Sequence, residues 1–336
     1  MRRLPVAVDR KHGYVDEHGE IVIPLQYDIA MEFAEGVAPV FRPGEETVEI
    51  IDMDGRVQGR CPNVETYSTF SQGRLDFNVV DEMDSNGFLD VKGKVVIPPT
   101  FGEVSSFEDG LATARVKLKT GVIDLAGDWV IKPQFDDLWT FKTGEEITAF
   151  EQKGKWGLVN RGGEILIPPK YDYAMGTCEG ITPVYEATED ASRYGFVNAK
   201  GEWTVPPTFQ KCGTTFNEGT LPVEFDGQWG VVDVNGEWVI PAKYTCTNAF
   251  YDGLCNVYVG GRRDLNYDLL DGATGFINRD DELVIPAQFD SAFDFEDGVA
   301  QVEEFHTDYD ADEGELMQPK TGWIDRTGKY IWKPTL

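Results

Sequence analysis

The chain has 336 residues, with 59 acidic against 30 basic side chains and a formal net charge of −29. So negative a chain, with no basic cluster larger than Arg2-Arg3 or Arg262-Arg263, is a poor partner for nucleic-acid phosphates, whose binding depends on Lys and Arg displacing counterions. With 41% hydrophobic and 12% aromatic residues it has ample material for a core, which argues against disorder.

The start, from Met1 to Asp9, carries only a five-residue apolar stretch, too short for a secretory signal. No later run reaches the length of a membrane-spanning helix. Five cysteines, Cys61, Cys178, Cys212, Cys246 and Cys255, are odd in number and lack CxxC spacing. They read as free thiols in a cytoplasmic protein, with neither a disulfide framework nor a zinc site.

From Gly13 onward one unit is written repeatedly, with copies starting at Gly13, Glu49, Gly87, Gly121, Gly157, Gly195, Gly230, Gly275 and Gly322. Most starts are 34 to 38 residues apart, and no boundary carries a Pro/Ser-rich or charged linker, so residues 1–336 are expected to form a single repeat domain. Each copy opens with a β-rich stretch, such as Tyr14-Val15, and then Asp16-Glu-His-Gly19, which recurs as Asp52 to Gly55, Asp90 to Gly93, Asp124 to Gly127, Asn160 to Gly163, Asn198 to Gly201, Asp233 to Gly236 and Asp325 to Gly328. This is type I turn chemistry: the first side chain bonds backbone two residues on, and glycine takes a positive φ. Asp281 stands in the glycine slot of the eighth copy, tolerated in that backbone at some cost. The acids recur because turns need them.

A second strand follows (Ile21-Val-Ile23, Val95-Val-Ile97, Leu283-Val-Ile285) and should end at a proline such as Pro24, Pro98 or Pro133. Next come two aromatic positions, the first Tyr27, Phe101, Phe135, Tyr171, Phe209, Tyr244 and Phe289, the second Phe33, Phe107, Phe141, Phe216, Phe250 and Phe295. An acidic-glycine turn (Glu35-Gly36, Asp109-Gly110, Asp297-Gly298) then leads into a further strand. A unit with three or four short strands cannot bury two rings alone, so stacking on neighbours is required and the rings are core before they are ligand platforms.

The segments Lys155-Trp156-Gly157-Leu-Val-Asn160 to Pro169 and Gln228-Trp229-Gly230-Val-Val-Asp233 to Pro241 closely resemble the bacterial WG repeat, and the resemblance extends over essentially the whole chain. The second copy departs from it, with Glu49 for the leading glycine and Gln58-Gly-Arg-Cys61-Pro62 in place of the strand-proline pattern. The resemblance implies a bacterial, β-rich, non-catalytic repeat protein and supplies no catalytic residues. Two all-β architectures compete. A propeller blade needs four strands, usually in about 40 to 45 residues. The shorter spacing here favours tandem β-hairpin repeats stacked as an open solenoid or superhelix, with a propeller-like closed ring as the alternative.

No catalytic signature is present: GxSxG, HExxH, a Walker loop and GxGxxG are all missing, and the three histidines, His12, His18 and His306, leave little for a triad or metal site. No enzyme activity, cofactor or metal is therefore expected. Asp308-Tyr-Asp310-Ala-Asp312 has calcium-loop spacing, but Glu313 and Pro319 stand where an EF-hand requires Gly and Glu. It reads as a solvated acidic loop, with adventitious calcium or magnesium binding as the alternative. Loop length is more informative. Residues 258–274 and 303–321 are the two longest insertions, occupy one repeat position in adjacent copies, and should emerge on one edge. They present Arg262, Arg263, Tyr267, Glu303, Glu304, Asp308, Tyr309, Asp310, Asp312 and Glu313 as a candidate protein-binding set. The expected function is a cytoplasmic, non-enzymatic scaffold that binds a basic protein, one form being an immunity-like or antitoxin inhibitor. The alternative is carbohydrate or cell-wall binding through a row of exposed Trp156, Trp229 and Trp323. Neither nucleic acid nor membrane is an expected partner.

Overall fold

The computed structural model describes residues 2–187, 192–263, 269–304 and 320–333. Among them the strands form nine antiparallel sheets in chain order, eight of four strands and the first of three. Each sheet is a simple meander. In the second, Ile29–Ala30 pairs with Val37–Phe41, which pairs with Thr47–Asp52, which pairs with Val57–Pro62. Such a four-stranded meander, repeated, is a propeller blade. The described residues therefore fold as successive propeller-type blades, and the expected open solenoid of hairpins is overturned in favour of the propeller alternative.

The physical reason lies in the strand that sequence patterning could not show. Ile29–Ala30, Glu103–Val104, Asp137–Leu138 and their equivalents are two residues long, so a whole blade fits into fewer residues than usual. Leu4–Val8, Lys11–Val15 and Ile21–Tyr27 make the three-stranded first blade. Tyr330–Trp332 closes the sheet of the ninth.

The chain forms two compact units, Met1–Ala191 with Phe196–Trp203, and Ser192–Gly195 with Thr204–Leu336. Within each, the apolar clusters join successive blades. In the first unit Tyr14, Ile23 and Tyr27 of blade one pack with Ala38, Val40 and Ile51 of blade two. Phe88, Ile97 and Phe101 of blade three likewise pack with Ala112, Ala114 and Ile123 of blade four. In the second unit Val231, Ile240 and Phe250 share a cluster with Val257 and Ile277. The recurring rings are core, as expected: Tyr27, Phe135, Tyr171, Phe141, Phe250 and Phe295 are all buried.

The prolines do not end their strands. Ile21–Tyr27 runs through Pro24 and Ile165–Tyr171 through Pro168 and Pro169. Trp156 pairs with Tyr171 and Leu158 with Ile167, so two steps on one strand face four on the other. This is a bulge on the last strand of the sheet, where a missing N–H is tolerated. The bulge presses its carbonyl against the leading glycine: a Cβ on Gly157 would lie 2.3 Å from the Ile167 oxygen, and one on Gly121 2.4 Å from that of Ile131. Blade two replaces that glycine with Glu49 and correspondingly lacks this bulge, because Val48 pairs with Cys61 and Ile50 with Gly59, two steps against two. The two departures in the second copy are thus one coupled change.

Candidate functional site

The turns set the background charge. In Asp124 to Gly127 the Asp124 Oδ1 accepts the N–H groups of Ala126 at 2.9 Å and Asp128 at 3.0 Å, and Gly127 has φ +86°. Asn160 makes the equivalent bonds to Gly162 at 3.1 Å and Glu164 at 2.9 Å. Asp281 sits at φ +63°, as its place in the glycine slot requires. The acidic-glycine turns are two-residue hairpin turns with both central residues at positive φ: Glu35 at +55° and Gly36 at +83°, between Ala34 and Val37, which exchange both backbone bonds. Their carboxylates reach the next blade. Glu35 accepts the N–H groups of Gln72 and Gly73, both at 2.7 Å. Gln72 in turn accepts the Gly110 N–H at 2.7 Å. In the second unit Glu218 accepts the Gly253 N–H at 3.1 Å and Asp252 that of Gly298 at 2.7 Å.

Of the sequence-predicted set, Arg262 and Arg263 do not lie in a loop. Cys255–Arg263 pairs with Leu269–Ile277, with Arg262 opposite Leu270 and Arg263 opposite Leu269. The insertion prolongs the hairpin of blade eight. Glu303 and Glu304 end the strand Val299–Glu304 of blade nine. Burial pushes the Glu303 carboxyl up, against a lowering hydrogen bond with Ser291. Glu304 accepts the Tyr330 hydroxyl at 2.7 Å. Both acids are thus engaged within their own blade. Tyr267, Asp308, Tyr309, Asp310, Asp312 and Glu313 lie outside the described residues. Trp156 and Trp323 are 6% and 4% exposed and Trp229 is half-buried, so these three indoles do not form an exposed row, whereas Trp203 and Trp238 are exposed. All five cysteines are free, Cys61 and Cys255 buried, and burial raises the Cys255 thiol to about 12. No group of three or more potential metal ligands is gathered among the described residues.

A different site emerges in the first unit, at the same repeat position as the long insertions. The connection Arg42 to Glu46 in blade two and that around Val80 in blade three are longer than the two-residue Lys117-Leu118 link of blade four. With the start of blade three they enclose a cleft of about 410 Å³, within the size range of small-ligand sites. Ile29, Phe41, Val64 and Val80 give it apolar walls, and Tyr67 stands at its edge, 72% exposed. Its polar lining is mostly acidic: Asp28, Glu45, Glu46 and Glu65 against Arg42 alone.

Two of these charges are already matched. Lys11 Nζ lies 2.6 Å from Asp28. Arg42 donates through Nε to Glu49 at 2.9 Å and lies over the Tyr27 ring. Glu49 itself is fully buried, with Arg60 Nη2 2.6 Å from its other oxygen. The carboxylates of Glu45, Glu46 and Glu65 have no ion pair among the described residues. The analogous position between blades four and five holds a space of only about 120 Å³, beside Arg115, Thr120 and Asp137, with Arg115 paired to Glu103 at 2.9 Å. The sequence signal for the larger cleft was the five-residue loop Arg42-Pro-Gly-Glu-Glu46 at an insertion position, overshadowed by longer insertions elsewhere.

Eight four-stranded sheets and one of three strands, with apolar cores shared between successive blades, define a β-propeller fold built from tandem repeats. The WG containing repeat profile matches residues 13–41, 87–118, 121–156, 156–186, 194–229, 229–262 and 275–304, and the chain belongs to that family. No curated protein sequence matches it. Among solved structures, one described as the eukaryotic initiation factor is similar in fold at 11% identity, with a TM-score of 0.68 over 98% of this chain and 94% of the other. The haem d1 enzyme NirN, described as a dihydro-heme d1 dehydrogenase, aligns at 13% identity and a TM-score of 0.48, covering 91% of this chain and 78% of that one. BamB from Moraxella catarrhalis aligns at 10% identity and 0.45, covering 76% and 90%.

Proposed function

We propose that this WG-repeat propeller is a non-enzymatic, cytoplasmic scaffold that binds a basic protein. The observation that carries this reading is that the fold needs acceptors where the chain supplies charge. Asn160 makes the turn bonds that Asp124 makes, and Gln72 bonds the following blade through one neutral oxygen where Glu35 uses two. The negative surface therefore exceeds what turn chemistry requires, and a field of that sign accelerates encounter with cationic partners. An immunity-like or antitoxin inhibitor of a basic toxin is one form of the same reading. The burial of Trp156 and Trp323 weighs against carbohydrate stacking on those two rings. The test is the association rate with partners captured from a bacterial lysate, measured at 20 and 300 mM salt. Basic partners whose rate falls at least tenfold support the proposal. Recovery of neutral or acidic proteins alone, bound with salt-insensitive rates, overturns it.

A further inference from the structure

We infer that the cleft between blades two and three is the docking point for a lysine or arginine side chain presented by a basic protein segment, an inference that rests on the basic-partner reading above. Three features of the cleft converge. Its apolar walls, Phe41 and Val64 foremost, suit the methylene stem of a long cationic side chain, which buries its carbons while its head stays hydrated or paired. Glu45, Glu46 and Glu65 supply carboxylates that nothing else in the described chain neutralises. The exposed Tyr67 ring at the edge offers a face for the cation, a contact that favours ammonium and guanidinium groups alike. Arg42 is turned to buried Glu49, a carboxylate it shares with Arg60, so the acids of the lining still outnumber its cation.

The charge balance selects the occupant. With Asp28 matched by Lys11, and Arg42 and Arg60 sharing the one charge of Glu49, the carboxylates of Glu45, Glu46 and Glu65 leave the cleft net negative, which repels phosphates and carboxylates and leaves a cation with an apolar stem as the complementary group. Between blades four and five the equivalent space is smaller, about 120 Å³, and has Arg115 in its lining.

The test uses the full chain and fluorescein-labelled octalysine, read by anisotropy at 20 mM salt. Two triple variants remove equal charge. One is Glu45→Gln with Glu46→Gln and Glu65→Gln at the cleft. The other is Glu17→Gln with Asp128→Asn and Glu237→Gln on exposed turns. The expected result is at least a tenfold rise in Kd for the cleft variant, less than threefold for the turn variant, and a few-fold rise for Tyr67→Ala, with unchanged melting curves. Equal weakening by both triples overturns the cleft and leaves general electrostatic attraction standing. No binding of octalysine by the unaltered protein overturns both the cleft and the basic-partner reading.

Discussion

Replacing Gly157 by alanine separates two explanations for the glycine that opens each repeat. Gly157 does not have a positive φ, so conformational freedom gives it no special role. Its neighbourhood does: an added Cβ would meet the Ile167 oxygen at 2.3 Å, the Pro169 nitrogen at 2.9 Å and Phe150 Cε1 at 3.0 Å. Two of these atoms are backbone of the bulge, so relief requires moving a strand by roughly 1 Å, and overpacking of this kind costs about 1–3 kcal/mol. We expect the upper end, about 3 kcal/mol, because the bulge is also pinned by two prolines. Gly144, in the same blade, is the control. It has φ +77° and nothing within 4 Å of an added Cβ, so Gly144→Ala should cost only about 1 kcal/mol of backbone strain. Urea unfolding followed by tryptophan fluorescence reads both; with m of about 3 kcal/mol per M, Gly157→Ala lowers the midpoint by about 1 M. If Gly144→Ala is the more damaging of the two, the close approach is not what excludes a side chain at the leading position.

Two further outcomes follow from the turn bonds. Glu35→Ala removes acceptors for the Gln72 and Gly73 N–H groups and should cost about 1 kcal/mol at this exposed site, whereas Glu35→Gln, which keeps one oxygen acceptor and sets an amide NH2 against the other N–H, should cost about half as much in the same urea assay. Asp136, bonded by Lys119 and the Lys153 N–H, and Asp172, bonded by Lys155 and the Ala187 N–H, are both held below the ordinary 3.8. The unfolded chain then binds more protons in that window, so their contribution is present above about pH 4 and disappears as pH falls through their lower folded values. The melting temperature should fall on that acid side, and the Asp136→Asn/Asp172→Asn double variant should show a shallower limb; an unchanged limb would remove these residues from the account.

Local chemistry was legible in the sequence and geometry between distant segments was not. The Asp-x-x-Gly turns, Asp281 at positive φ and the buried rings Tyr171 and Phe250 all follow from short-range rules applied to one copy. The strand Ile29–Ala30 could not be read, because two residues carry no alternation, and its omission favoured a solenoid over a propeller. Pro168 and Pro169 look like a strand end until the pairing of Trp156 with Tyr171 shows the strand resuming beyond them. Val259-Gly260-Gly261 reads as loop, yet Val259 pairs with Ala273 and Gly260 with Gly272 in a lengthened hairpin. The acidic cleft needs Glu46 and Val80 on neighbouring blades brought to one rim, a proximity that neither loop announces by itself.

The strongest consequence of the acceptor argument is that fold and charge can be changed separately. Asp16, Asp52, Asp90, Asp124 and Asp233 each bond two backbone N–H groups of their own turn, for Asp16 those of His18 at 2.9 Å and Glu20 at 3.0 Å. Asn198 holds the same two bonds, to Lys200 at 2.9 Å and Glu202 at 3.1 Å, with a neutral side chain. Changing all five aspartates to asparagine removes five negative charges from a total of −29 and keeps the Oδ1 acceptor of every turn, at the loss of the Oδ2 acceptors that Asp52 offers Gln58 at 2.8 Å and Asp233 offers Asn235 at 3.4 Å. The melting temperature at pH 7 should drop by no more than about 5 °C, since each position loses only the charge-assisted part of an exposed bond. The association rate with a basic partner at 20 mM salt should fall several-fold, and the difference from the unaltered protein should vanish at 300 mM, where the Debye length is shorter than the spacing between blades. A variant that unfolds would show that these turns require charge as well as an acceptor, contradicting the equivalence of Asn198 and Asp16. A variant that keeps both its fold and its full association rate would mean that the negative field is not what guides the partner.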